Sequence, residues 1–173
     1  SNKDTISIDK YVFVGDSRYV GMSAYEEDED TFIAKNNMGY AYLEEQMELI
    51  KESCDENTAL IIGLGVNDLK YSRQKYIDTI NEMAQDMDCH IFYMLVNPVD
   101  EKKEEQHGYS VENDVIDDFN SVMEEELSSD VGIIDTNSYL KEEGFETVDG
   151  LHYDRSTYKL IYDYIKECVN KAE

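Results

Sequence analysis

Apolar runs that do not alternate with polar residues punctuate this chain at wide intervals, and they constrain its fold more than any other feature. Tyr11-Val12-Phe13-Val14 and Ala59-Leu60-Ile61-Ile62 are the clearest. A strand with one wet face would alternate apolar and polar residues, so continuous runs imply strands covered on both faces. We place strands near 10–14, 31–34, 58–63, 90–96 and 131–134. Between them lie segments of helical period, near 40–53, 73–87, 111–128 and 155–171. In 73–87 the residues Tyr76, Ile77, Ile80, Met83, Ala84 and Met87 recur at helical spacing. Tyr158, Ile161, Tyr162, Ile165 and Val169 form a stripe in the last segment, whose start Asp154 or Ser156 can cap. These stripes read as core. Strands alternating with helices predict an α/β fold, a three-layer α/β/α sandwich on a mostly parallel five-stranded sheet.

Sites in such sheets form at the carboxyl ends of the strands. The first run ends in Gly15-Asp16-Ser17-Arg18 and the third in Gly63-Leu64-Gly65-Val66-Asn67-Asp68. Asp149-Gly150-Leu151-His152 lies near the C-terminus. In chain order these segments supply a serine, a side-chain amide, a carboxylate and an imidazole. A serine hydroxyl needs a base to become a nucleophile. His152 is the best base of the three histidines, because His90 opens a strand and His107 sits in a charged stretch. Asp149 is one short turn from His152, with Asp154 as a substitute. Asp16 and Asp68 read as turn-fixing carboxylates.

The ordered set resembles the SGNH hydrolases, the GDSL esterase/lipase family, over nearly the whole chain from Tyr11 to the last helix. The Ser block is Val14-Gly15-Asp16-Ser17-Arg18, the Asn block Gly65-Val66-Asn67-Asp68 and the His block Asp149-Gly150-Leu151-His152. The Gly block falls in Asn36-Asn37-Met38-Gly39-Tyr40, with Gly39 as the match and Asn37 as its rival. The resemblance implies a flavodoxin-like sheet order and a Ser17–His152–Asp149 triad. It also implies an oxyanion hole formed by Ser17, Gly39 and Asn67. The implied activity is a serine esterase cleaving small acyl esters, acetyl on a carbohydrate being preferred, with no metal and no cofactor. Arg18, where the family commonly has leucine, could meet an anionic group of the substrate or pair with an acid. Tyr19, Tyr25, Tyr40 and Tyr153, near the motifs in sequence, could pack on sugar rings. An acyltransferase using the same site and a non-catalytic binding domain are the alternatives. A nucleotide or flavin binder would need a phosphate-cradling loop, and Gly15-Asp16-Ser17-Arg18 is too short and too acidic for one.

Composition narrows the partners. Fifteen basic and forty acidic residues leave a net charge of −25, which opposes nucleic acid and anionic membranes. No apolar run approaches the ~18 residues that cross a bilayer. The acidic runs Glu26–Asp30 and Glu124–Glu126 read as solvated surface, since the first lacks the alternating ligands of a calcium loop. Cys54, Cys89 and Cys168 are odd in number and widely spaced, which argues against zinc and against a disulfide scaffold. Cys89 and Cys168 read as buried thiols. The stretch Asn97 to Ser110 reads as one long surface loop. Residues 1–8 read as a tag remnant or linker, since Ser1-Asn2 carries no methionine, and 9–173 as one domain. That beginning, with the family's work on envelope and dietary polysaccharides, favours an exported or envelope protein over a cytoplasmic one. The oligomeric state stays open.

Overall fold

The computed structural model describes residues 7–172. Of the segment 1–8, residues 1–6 lie outside the described residues, while Ile8 packs against the core. Among the described residues five strands form the sheet: β1 (Lys10–Gly15), β2 (Asp30–Ala34), β3 (Thr58–Gly63), β4 (His90–Met94) and β5 (Gly132–Ile134). Eight α-helices among the described residues connect and cover them: α1 (Ser17–Met22), α2 (Tyr40–Glu45), α3 (Met47–Ser53), α4 (Arg73–Asp86), α5 (Glu101–Gln106), α6 (Asn113–Glu126), α7 (Thr136–Glu143) and α8 (Arg155–Lys171). The sheet order is β2-β1-β3-β4-β5 and every pairing is parallel. This is the flavodoxin-like order, with its switch point beside β1.

Each strand feeds both cores. Val12, Val14, Leu60 and Ile62 point into the layer of α2, α3, α4 and α6. Phe13, Ala59 and Ile61 point into the layer of α1, α7 and α8. Burial on both faces is why these runs show no alternation.

Four local readings change. The expected helix over 40–53 is two helices broken at Gln46. The short helices α1, α5 and α7 have too few turns to register as periodic stripes. The stretch Asn97 to Ser110 is not a plain surface loop. It holds α5, and its Asn97, Val99 and Glu104 are buried. Asn113 clamps this segment, accepting from the Val99 N–H at 2.9 Å and donating to the Val99 carbonyl at 2.9 Å. The acidic run Glu26–Asp30 is solvated only in part. Asp30 is buried and pairs with Lys166 at 3.0 Å, and it also accepts from the Tyr162 hydroxyl. No helix among the described residues is long and apolar enough to cross a membrane.

Candidate active site

Ser17 is the first residue of α1, immediately beyond the carboxyl end of β1. Asp16 caps that helix, its Oδ1 accepting the Arg18 N–H at 3.0 Å. A strand that ends directly in a capped helix holds the serine at the sheet edge with little freedom.

His152 reaches Ser17 from the far end of the chain. Its Nε2 lies 2.9 Å from Ser17 Oγ, and its Nδ1 lies 2.6 Å from Asp149 Oδ2. Asp149 Oδ1 also accepts the N–H groups of Leu151 at 2.9 Å and His152 at 2.7 Å. Partial burial alone would raise the Asp149 carboxyl, but these N–H groups and the imidazole outweigh it and hold the group below its ordinary value. An ionised carboxylate can only accept, so Nδ1 carries the imidazole proton. Nε2 is then free to accept from the Ser17 hydroxyl. Asp154 is not part of this chain; it caps α8 through the Thr157 N–H.

The loop bearing His152 is fixed by its neighbours. Thr147 and Tyr153 form an antiparallel bridge, and the Val148 N–H donates to the His152 carbonyl at 2.9 Å. Gly150 adopts φ +92°, and a Cβ there would fall 2.3 Å from the Glu104 backbone. Only glycine meets both conditions.

Arg18 points away from the site. Its side chain is buried, with Nε donating to the Leu151 carbonyl at 2.9 Å and the two terminal nitrogens donating to Asn97 at 2.7 Å and Pro98 at 3.1 Å. The guanidinium also lies 4.9 Å from the Tyr153 ring centroid. Neither expected role for Arg18, a substrate anion or an acidic partner, fits this geometry. It ties the serine helix to the histidine loop and to the segment that follows β4. Tyr153 is equally unable to meet substrate, being buried with its hydroxyl donated to the Pro98 carbonyl. Tyr19 is buried, and Tyr25 donates to the Arg155 carbonyl at 2.6 Å. Tyr40 is half-buried. Its hydroxyl meets Glu44 at 2.9 Å and Thr79 at 2.7 Å, and its ring packs edge-on against Tyr76. All four expected sugar-facing tyrosines are thus committed to packing.

The Asn block and the Gly block meet directly. Asn67 is exposed and donates from Nδ2 to the Met38 carbonyl at 2.8 Å. Asp68 does not fix its own turn as expected. Its Oδ2 accepts the Tyr40 N–H at 2.8 Å and its Oδ1 accepts the Tyr76 hydroxyl at 2.8 Å. This carboxylate explains Gly39, because a Cβ at position 39 would lie 2.6 Å from Asp68 Oδ2. The left-handed residue of the loop is Asn37, at φ 62°.

Sequence reading missed two tyrosines on the rim. Tyr109 sits edge-on to the His152 imidazole, with centroids 6.0 Å apart. Tyr71 is 86% exposed. It borders a groove of about 190 Å³ whose lining includes Asn67, Val66, Leu69, Val111 and Val115. An aromatic residue in a polar loop just past the Asn block was the available signal. Among the described residues, no cluster of three or more His, Cys, Asp or Glu could hold a metal ion.

Asp16 carries a cost that pH should expose. It is buried, and burial pushes its carboxyl from 3.8 up to about 6. The Arg18 N–H and the Arg18 charge only partly offset that rise. The folded chain therefore binds this proton more tightly than the unfolded chain. Stability contributed here is full below pH 3.8, falls as pH rises to about 6 and stays low above it. At about 1.4 kcal/mol per tenfold, the deficit is on the order of 3 kcal/mol. Asp16→Asn keeps an acceptor for the Arg18 N–H. Relative to wild type, it should gain little at pH 4 and up to about 3 kcal/mol at pH 8. Urea midpoints at the two pH values test this, and a difference independent of pH would refute it.

No family model and no curated protein matches this sequence. Solved structures do. A GDSL-like lipase from Bacteroides thetaiotaomicron superposes with TM-score 0.75 at 17% identity, covering 95% of this chain and 89% of its own. A lipase/acylhydrolase from Enterococcus faecalis gives TM-score 0.68 at 13% identity, covering 94% and 96%. The C-terminal catalytic domain of peptidoglycan O-acetyltransferase A from Streptococcus pneumoniae gives TM-score 0.63 at 16% identity, covering 96% and 95%. The chain has the fold of the SGNH hydrolases.

Proposed function

We propose that this chain is an SGNH-type serine esterase that hydrolyses short acyl esters, with acetyl on a carbohydrate as the substrate class. One observation carries the reading: the hydrogen-bonded series Ser17–His152–Asp149 at the carboxyl edge of the sheet. His152 Nε2 takes the Ser17 proton as Oγ attacks the ester carbonyl. Asp149 holds the tautomer and stabilises the imidazolium. The tetrahedral intermediate collapses as His152 returns the proton to the leaving alcohol. Water, activated by the same imidazole, then releases the acid from the acyl-enzyme.

Three donors fit the developing oxyanion. The Ser17 N–H lies in the first turn of α1, where no intrahelical acceptor exists. Asn67 Nδ2 has two hydrogens; the Met38 carbonyl takes one and fixes the amide, leaving the second for substrate. The backbone of the Asn37–Gly39 loop supplies the third. Gly39 remains our candidate, although its missing Cβ is already explained by Asp68.

The groove beyond Asn67 supports a short acyl group, since about 190 Å³ is below the usual size of a drug-like pocket. Tyr71 and Tyr109 replace the four buried or engaged tyrosines as the aromatic surfaces open to a sugar. His152 and Asp149 keep 27% and 20% of their side-chain surface exposed, so water has access to the acyl-enzyme, and this favours hydrolysis over transfer. The intact hydrogen-bond series disfavours a binding-only domain.

A fluorophosphonate probe should label Ser17 stoichiometrically, located by peptide mapping. p-Nitrophenyl acetate should be cleaved at least about tenfold more efficiently than the octanoate, as expected when several methylenes find no pocket. An unlabelled Ser17 in folded protein would end the esterase reading. A preference for octanoate would end only the short-acyl part.

A further inference from the structure

Two cysteines that the sequence separates widely are neighbours in the fold. Cys54 directly follows α3, four residues before β3, and Cys89 directly precedes β4. The parallel register sets Ala59 beside His90, which brings the two approaches together. His90 Nε2 lies 3.1 Å from the Glu56 carbonyl and pins them. Both thiols line one cavity of about 380 Å³, at the amino ends of the strands and so opposite the Ser17 edge. Cys168 lies apart, in the other core layer.

We propose that Cys54 and Cys89 form a dithiol site that reacts with small neutral or cationic disulfides and closes to an intrachain disulfide. The two thiols line the same cavity wall, so the S–H of one is placed to support the thiolate of the other. Proximity to Cys54 holds the Cys89 thiol below its ordinary value and pushes the Cys54 thiol up in turn. The thiolate attacks one sulfur of the reagent R–S–S–R, forming a mixed disulfide and expelling RS⁻. The second thiol, losing its proton, attacks the protein sulfur and expels the other RS⁻. The protein loses two hydrogens, and one reagent disulfide is reduced to two thiols. The cavity rim selects the reagent. Asp55, Glu56, Asp86 and Asp88 outnumber Lys51 there, so anionic disulfides are repelled and cationic ones are drawn in.

Cystamine and oxidised glutathione are the probes, applied to the folded chain under non-denaturing conditions. The thiol titre should fall from three to one per chain, with the mass lower by two hydrogens and no adduct retained. Peptide mapping should join the Cys54 and Cys89 peptides. Cystamine should react about tenfold faster than oxidised glutathione at low salt, normalised to their rates with free cysteine, and the ratio should shrink in high salt. Cys54→Ser and Cys89→Ser should each stop at a stable mixed disulfide or leave the remaining thiol unreacted. Three persisting thiols, a stable adduct on wild type, or a link to Cys168 would overturn the dithiol site. Equal normalised rates at low salt would overturn the selectivity.

Discussion

Ser17→Ala should lower kcat/KM for p-nitrophenyl acetate by about 10⁴–10⁶-fold, because the nucleophile and its base act as a unit. His152→Ala should cost a similar factor, and the double variant little more. Asp149→Asn should cost about 10⁴-fold. The asparagine amide would present an N–H to Nδ1, move the imidazole proton to Nε2 and leave Ser17 with no acceptor. Folding should survive the serine change, because among the described residues the Ser17 side chain bonds only to His152. Melting curves and steady-state kinetics on the same samples separate loss of chemistry from loss of structure. Activity in folded Ser17→Ala above about a tenth of wild type would mean that another group performs the attack.

Arg18→Met should destabilise the fold by roughly 3–5 kcal/mol, the usual scale when one partner of a buried charged network is removed. Three carbonyls, of Leu151, Asn97 and Pro98, would lose their donor together. The melting temperature should fall by about 10 °C for a chain of this size. Arg18→Lys should recover less than half of that, since an ammonium cannot span three acceptors as the planar fork does. Activity should fall in kcat more than in KM, because Leu151 adjoins His152 and loses its anchor to the serine helix. Unchanged melting in Arg18→Met would show that the three bonds contribute nothing net.

Arg18 also marks where sequence reading stops. Adjacency to Ser17 suggested a shared task, but neighbours on a helix point about 100° apart. Ser17 faces the sheet edge while Arg18 enters the interior. The same limit applies to Tyr153 beside His152, where one position of alternation turns the ring inward. Tyr71, by contrast, follows the Asn block closely and stays on the surface, and only its polar loop distinguishes it from the buried tyrosines.

The strands, their parallel pairing and the line of Ser17, Gly39 and Asn67 along one sheet edge followed from the sequence alone, while the sheet order and the place of His152 came with the family resemblance. Apolar runs and turn residues act within a few positions of themselves, and a parallel sheet has few ways to connect them. Tertiary structure decided the rest: Asp149 rather than Asp154 on the imidazole, the carbonyl partners of Arg18, the Asp68 contact that requires Gly39, and the pairing of Cys54 with Cys89. The Ser17–His152 bond joins residues 135 apart and the Arg18–Leu151 bond residues 133 apart. At such separations the orientation of a side chain is set by the packing of whole layers, which no local pattern encodes.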